Sequence, residues 1–297
     1  MKRVTSIGEI LFDVYPKGRT LGGAPFNFIY HIINLTGIGN FISRIGDDSY
    51  GNEIIEFLKK NKISVDYIQS DNLHKTGIAK TVLNDQKVPT FTIDLNTAYD
   101  YIEQTNDINL LINDNTDCLY FGTLAQRELQ SRQTIQSLFN RNIKYFCDLN
   151  IRQNFYSDDV LEKSLRAANV LKVNIDELKV LNDFFIKDNF EINNSSGRLL
   201  SEFNIELLCV TMGEEGAILF TEDKRNKYKT KIDGIVDTVG AGDAYAALLC
   251  IGYLNGWNIE KINRIASRFA GEIIKIKGAL PSENSFYNKF RTKIKNG

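Results

Sequence analysis

Histidine and cysteine are scarce in this sequence: two and four residues respectively among 297. Cys118, Cys147, Cys209 and Cys250 lie far apart and form no CxxC pair. A zinc ribbon or a disulfide framework would show tighter spacing, so these thiols are expected to be small buried hydrophobes. His31 sits in the apolar run FNFIYHII and His74 in the polar stretch SDNLHKT. Neither belongs to an HExxH or HxxxH pair, and no GxSxG elbow exists. A His-ligated catalytic metal and a nucleophilic hydrolase both lose their usual residues. Basic excess is absent too, with 36 Lys+Arg against 37 Asp+Glu, a net charge of −1. That disfavours a nucleic-acid partner. No apolar run reaches the ~18 residues of a membrane span, so no membrane partner is expected. The first residues, MKRVTSIGEILFD, carry Glu9 and Asp13 where a signal peptide would be apolar. A reducing, cytoplasmic location is the expectation.

What is present has ordinary globular composition, 43% hydrophobic and 25% charged, so wholesale disorder is not expected. The length suits one large α/β domain or two modest ones. RVTSIGEILFDVY reads as a strand followed by an extended segment. GGAPFNFIYHIINLTG reads as a Gly-rich turn opening a helix, with Gly37 just past its end. NFISRIG reads as a strand, and DSYGNEIIEFLKKN as an amphipathic helix with Ile54, Ile55 and Leu58 on one face. GIAKTVLNDQKVPTFTIDL holds two β-branched runs around Asn84-Asp85-Gln86, a hairpin signal. It stands apart from the βα alternation and reads as an inserted β layer or lid. Strand-length runs then follow in DCLYFG, KYFCDLN, NVLKVN and ELLCVTMG. Helical patterns separate them in SRQTIQSLFNRN, DDVLEKSLRAA, DELKVLNDFF and SSGRLLSEFN. This alternation predicts a mostly parallel sheet covered by helices on both faces. AILFTEDKRNKYKT reads as an antiparallel pair.

The chemistry concentrates in Val236-Asp237-Thr238-Val239-Gly240-Ala241-Gly242-Asp243-Ala244. Ala244, Ala247, Leu248 and Ile251 keep helical spacing, so Gly240-Ala241-Gly242 lies immediately before a helix. Small residues there let backbone N–H groups converge on an anion, aided by the helix dipole. Asp243 falls in the first turn, where it either complements that dipole or acts as a base beside the cradle. The pattern is neither a Walker A loop nor a dinucleotide fingerprint. Asn174 opens NIDE at the carboxyl end of a strand, where ligands bind in open α/β sheets, and an N-cap role accounts for it equally well. Thr211-Met-Gly213-Glu-Glu-Gly216 follows another strand and reads as a Gly-punctuated turn on its own. Gly22-Gly23-Ala24-Pro25-Phe26-Asn27 opens a helix.

Taken together, these segments resemble the PfkB, or ribokinase-like, carbohydrate kinases. DTVGAGDAYAA is similar to the family's C-terminal signature, and GGAPFNFIYHI with FISRIGDDSYGNEI to its N-terminal one. NIDE matches an NxxE motif, VTMGEEGA a VTxGxxGA segment, and KGALPS a closing motif. GEILFD, GGAPFN, FGTLAQRELQSRQTI and DLNIRQNF are most similar to fructokinases. Leu149 stands where that last motif commonly has Pro, and Phe26 where Ala is commoner.

The resemblance implies a single three-layer α/β/α domain over 1–297, with a small β lid from about 11–22 and 76–97. It implies an ATP-dependent kinase acting on a small sugar's primary hydroxyl, most similar to a fructokinase. A 2-keto-3-deoxygluconate kinase, another sugar or nucleoside kinase, and more remotely a non-catalytic sugar or nucleotide sensor are the alternatives. Asp243 would be the base, and Gly240, Ala241 and Gly242 the anion hole. Asp13, Gly22, Gly23, Asn27 and Arg152 would bind the sugar. Asn174, Glu177, Thr211, Gly213 and Gly216 would serve the nucleotide, with Glu177 reaching magnesium (Mg2+) through water. Asp237, Val239 and Ser282 would hold a monovalent cation such as potassium (K+). The expected partners are the sugar and ATP, and VPTFTIDL offers a lid strand through which a homodimer could form.

Overall fold

Thirteen strands form two sheets among the described residues, 1–15, 18–83, 89–231 and 233–295 of the computed structural model. In chain order they are β1 (Val4–Ile7), β2 (Leu11–Tyr15), β3 (Gly18–Gly22), β4 (Asn40–Gly46) and β5 (Ile68–Asp71). Then come β6 (Gly77–Leu83), β7 (Pro89–Ile93), β8 (Cys118–Phe121), β9 (Lys144–Asp148) and β10 (Val170–Asn174). The last are β11 (Leu207–Thr211), β12 (Ala217–Phe220) and β13 (Arg225–Tyr228). The main sheet has the order β13-β12-β11-β10-β9-β8-β1-β4-β5. Its pairs from β11 to β5 are parallel, and β12 pairs antiparallel on both sides.

Short apolar runs form these strands because both faces are buried. Val4, Tyr120, Phe146, Val170 and Cys209 join one core with the helices Ala24–Thr36, Ala241–Leu254 and Ile259–Ile273. Ile7, Phe121, Cys147, Leu171 and Val210 alternate to the other face. They pack against the helices Asn106–Asn115, Asp158–Ala167 and Ile192–Phe203. The period-2 alternation of strand side chains thus builds two cores from one sheet.

Local signals set the helix ends. Pro25 sits in the first turn of Ala24–Thr36, and Gly37 ends it at φ 84° with its N–H donating to the Ile33 carbonyl at 2.8 Å. Asp48 caps Ser49–Lys60 by accepting from the Gly51 N–H at 2.8 Å, a contact worth about 1 kcal/mol. Ile54 and Leu58 are buried on that helix, and Ile55 is only half-buried.

Four helical segments depart from the sequence reading, among them Asn288–Lys295, for which no helix was read. Asn106–Asn115 was not expected, because NDINLLINDN buries only Ile108, Leu111 and Ile112 amid loop-type Asn and Asp. Ile259–Ile273 lies beyond the segments read above. DELKVLNDFF divides into an α-helix, Ile175–Leu181, and a π turn, Asn182–Ile186.

The chain leaves the main sheet after β1 and enters a four-stranded sheet of order β3-β2-β6-β7, in which β2 and β6 run parallel. The turn at Asn84-Asp85-Gln86 lies outside the described residues. From β1 the main sheet is continued on one side by β4 and on the other by β8. That reversal of winding opens a crevice at the carboxyl ends of the strands. No helix among the described residues is long and apolar enough to cross a membrane.

Candidate active site

A cleft of about 380 Å³ opens at that switch point. Main-sheet ends supply Asp148, Asn174 and Thr211, and the small sheet supplies Leu11, Asp13, Ala79 and Ile93. The second sheet therefore roofs a crevice whose floor is the first.

Only Gly240 precedes the helix, as the N-cap of Ala241–Leu254; Ala241 and Gly242, read from the sequence as lying before it, fill its first turn with Asp243, because small residues adopt helical backbone there without hindrance. Gly240 holds φ 77°, and a Cβ there would collide with Ala279. Only glycine suits that position on both counts. The first N–H groups of a helix have no intrahelical partner; Ala241 N–H donates back to the Thr238 carbonyl at 3.4 Å, while Gly240 and Gly242 line the cleft.

Asp243 is fixed by a second helix N-terminus. Asn27, in the first turn of Ala24–Thr36, donates from Nδ2 to Asp243 Oδ2 at 2.8 Å. Burial pushes the Asp243 carboxyl up to about 6, and the negative Asp148 pushes the same way. The Asn27 bond, Lys172 and Arg152 pull it down. A carboxyl so raised can exchange a proton closer to neutrality than an ordinary one, while still complementing the helix dipole from the first turn.

Asp13 lies on β2 opposite Thr20 of β3, and Gly22 clears space for it: a Cβ on Gly22 would collide with Asp13 Oδ2. Burial raises Asp13 to about 6, with Arg152 opposing. Arg152 itself is exposed and lines the cleft. Its charge reaches Glu9, Asp13 and Asp243 alike.

Asn174 is a helix N-cap after all: its Oδ1 accepts from the N–H groups of Asp176 and Glu177 at 2.9 and 2.8 Å. Glu177 completes the capping box, accepting from Asn174 N–H through Oε2 and from Ile151 N–H through Oε1, both at 2.8 Å. Both residues nevertheless line the cleft, so the cap and the site coincide. Each Glu177 oxygen accepts one backbone N–H and keeps a further lone pair, so this carboxylate has acceptor capacity left for a cation or for a cation's water.

Gly23, Asn27, Arg152, Asn174, Glu177, Thr211, Val239, Gly240, Gly242, Asp13 and Asp243 therefore share one cavity. Gly22 adjoins it through Asp13, and Ala241 begins the floor helix. Gly213, Gly216, Asp237 and Ser282 do not line it. Gly213 starts a 3-10 turn. Gly216 has φ 84° and lies where a Cβ would strike the Tyr228 carbonyl of β13. Asp237 accepts from Val239 N–H at 3.0 Å and from Gly278 N–H at 2.9 Å. It ties the loop before the helix to the loop holding Ala279. Two accepted bonds leave a carboxylate with lone pairs for a cation, so Asp237 and the neighbouring Val239 fit such a site. Ser282 is exposed.

Two features were not singled out from the sequence. Tyr120, Asp148 and Lys172 form a buried cluster beneath the cradle: Lys172 Nζ contacts both Asp148 oxygens at 2.9 Å, and Tyr120 donates to Asp148 Oδ2 at 3.0 Å. Asp148 and Lys172 face each other across β9 and β10, a pairing that only the strand register creates. Glu9, just past β1, is 2% exposed and also lines the cleft. A lone Glu between Ile7-Gly8 and Ile10-Leu11 at the end of the first strand was the available signal.

The scarce residues are placed as structural groups. All four cysteines are free and buried. His31 is buried, bonds Tyr287 Oη through Nδ1 at 2.9 Å, and is held neutral by burial, which lowers it to about 3.

Comparisons with known proteins agree with this fold. Residues 1–285 match the family described as pfkB family carbohydrate kinase. A fructokinase of Escherichia coli is 26% identical over 94% of this chain and 95% of its own. An uncharacterized sugar kinase from Pyrococcus horikoshii, solved in complex with ATP, superposes with a TM-score of 0.77 at 25% identity, covering 93% of each chain. A fructokinase from Xylella fastidiosa with bound ATP shares the fold, with a TM-score of 0.82 over 99% of each chain at 17% identity.

Proposed function

The chain belongs to the pfkB family of carbohydrate kinases, and on that premise we propose that it transfers the γ-phosphoryl group of ATP to a primary hydroxyl of fructose. One observation carries the reading. A carboxylate of raised pKa, Asp243, is held by Asn27 at the N-terminus of a Gly-opened helix, in one cleft with Asp13. A base and an anion cradle are what phosphoryl transfer to a hydroxyl requires.

Asp13 and Asn27 offer acceptor and donor groups to the sugar's hydroxyls. Asp243 accepts the proton of the attacking hydroxyl as its oxygen bonds to phosphorus and the bond to the ADP oxygen breaks. A base so placed contributes roughly 10²–10⁴-fold. Backbone N–H groups at Gly240 to Gly242 meet the charge on the transferring group, each such donor being worth about 3 kcal/mol. Lys172 lies beneath the same turn, its Nζ 3.5 Å from where a Cβ on Gly242 would stand. Magnesium, bound with ATP, supplies neutralising charge; Asn174 and Glu177 are the residues proposed to hold its waters. Potassium beside Asp237, Val239 and Ser282 is the proposed second cation. The β2-β3-β6-β7 sheet acts as a lid that excludes water, and pairing of two lids along an edge is the proposed dimer contact.

A sugar acid such as 2-keto-3-deoxygluconate is the second reading, on the cation that Arg152 brings into the cleft. ATP consumption with fructose, ribose, 2-keto-3-deoxygluconate and adenosine tests the proposal. Fructose is expected to give the highest kcat/KM; turnover confined to another member of the panel would overturn it.

A further inference from the structure

Two buried polar side-chain atoms of residues that line the cleft lack a protein partner among the described residues: Glu9 Oε2 and Asn27 Oδ1. A desolvated acceptor without a donor costs free energy, and native proteins rarely keep one without a use. Of these, Glu9 follows β1, the strand at the switch point, and lines the cleft with Asn27. We infer that Glu9 is a further substrate-binding and specificity-determining residue. Its Oε2 accepts a hydroxyl at the inner end of the sugar, and its charge favours neutral sugars over sugar acids. The inference rests on the kinase reading above.

The charges facing Glu9 support it. Arg152 and Arg127 favour its ionised form, and Asp243 opposes it. Arg127 does not line the cleft, and its charge is met by Asp100: Nε and Nη2 donate to the two Asp100 oxygens at 2.7 Å and Nη2 also to the Asp94 carbonyl at 2.6 Å, leaving Nη1 without a partner among the described residues. Lys172 is committed to Asp148. With Asp148 paired to Lys172 and Glu177 holding two backbone N–H groups, the cleft sets three further carboxyls, Glu9, Asp13 and Asp243, against the guanidinium of Arg152. A substrate carboxylate would be one more like charge in a desolvated space, whereas a hydroxyl can donate to any of the three. Burial raises Glu9 to about 7, so at pH 8 it is mostly an anion and an acceptor only.

The test is steady-state phosphorylation of fructose and of 2-keto-3-deoxygluconate at pH 8 by the whole chain and its Glu9→Gln variant. The variant is expected to lose about 10- to 100-fold in kcat/KM for fructose, carried by KM, with kcat within about threefold. Its preference for fructose over the acid should fall by at least about tenfold. A folded variant whose fructose KM stays within about twofold of wild type, or whose preference is unchanged, overturns the inference. Glu9→Asp keeps the charge and shortens the reach. It should raise KM while keeping the neutral preference, and an unchanged KM overturns the inference if Glu9→Gln fails to fold. Failure of the underlying reading looks different: the wild type itself would then not phosphorylate fructose.

Discussion

Asp243 and Asn27 come from segments 216 residues apart, yet each lies in the first turn of its helix and they meet at 2.8 Å. If Asp243 is the base, Asp243→Asn should lower kcat by at least about 10²-fold and leave the sugar KM nearly unchanged; a loss under about tenfold would refute the role. The Asn27 bond favours the ionised carboxylate and so lowers its pKa. Removing it in Asn27→Ala should raise Asp243 further above about 6. The acid limb of the kcat/KM profile should then move to higher pH, as pH-dependent initial rates would show. A limb that stays put or moves down would assign the titration to another group, with Asp13, also near 6, the first alternative.

At the scale of elements, the cradle depends on one turn. Gly240→Ala forces a Cβ into a left-handed backbone and against Ala279. It should destabilise the fold by about 1–3 kcal/mol in urea denaturation and lower kcat, since the N–H groups of the first turn would no longer share one orientation. That turn was legible in the sequence because a Gly-rich stretch stood directly before a helical apolar period. The strands β8 to β11 were legible for a related reason: burial on both faces leaves unbroken apolar runs. Asn106–Asn115 was not, since three buried side chains among Asn and Asp give too weak a period. Nor was the π turn at Asn182–Ile186, where NDFFI continues an apolar pattern that carries no mark of a wider helix. At the site, Asp243 stood out from its place beside the Gly-rich turn, whereas Asp13 and Asn27 could be named only through the family resemblance. The Asp148–Lys172 pair could not, because it exists only through the register of β9 against β10.

The whole molecule places its acidic cleft at the point where the sheet's winding reverses, so desolvation of the site is a property of the fold and has a stability signature. Glu9, Asp13 and Asp243 rise from 4.5, 3.8 and 3.8 to about 7, 6 and 6. The folded state therefore binds more protons than the unfolded chain between those limits. The stabilisation these groups give as neutral acids is fully present below their unfolded values and is lost as pH rises through 6 to 7. Other carboxyls act oppositely: Asp71 is held near 2, its backbone and side-chain bonds to His74 and the Leu73 N–H outweighing the opposing effect of burial. The net pH profile of the wild type thus mixes both signs, and a difference between two proteins isolates one group. Glu9→Gln cannot ionise, so its stability relative to wild type should move in its favour by about 2–3 kcal/mol between pH 4 and pH 8. Urea denaturation of both proteins at the two pH values measures that change. The lost hydrogen-bonding geometry of the variant shifts both values equally and cancels in the difference. A gap that stays constant, or moves towards the wild type as pH rises, would mean that Glu9 is solvated or paired in the folded state. It would then have no unmet acceptor to offer a sugar.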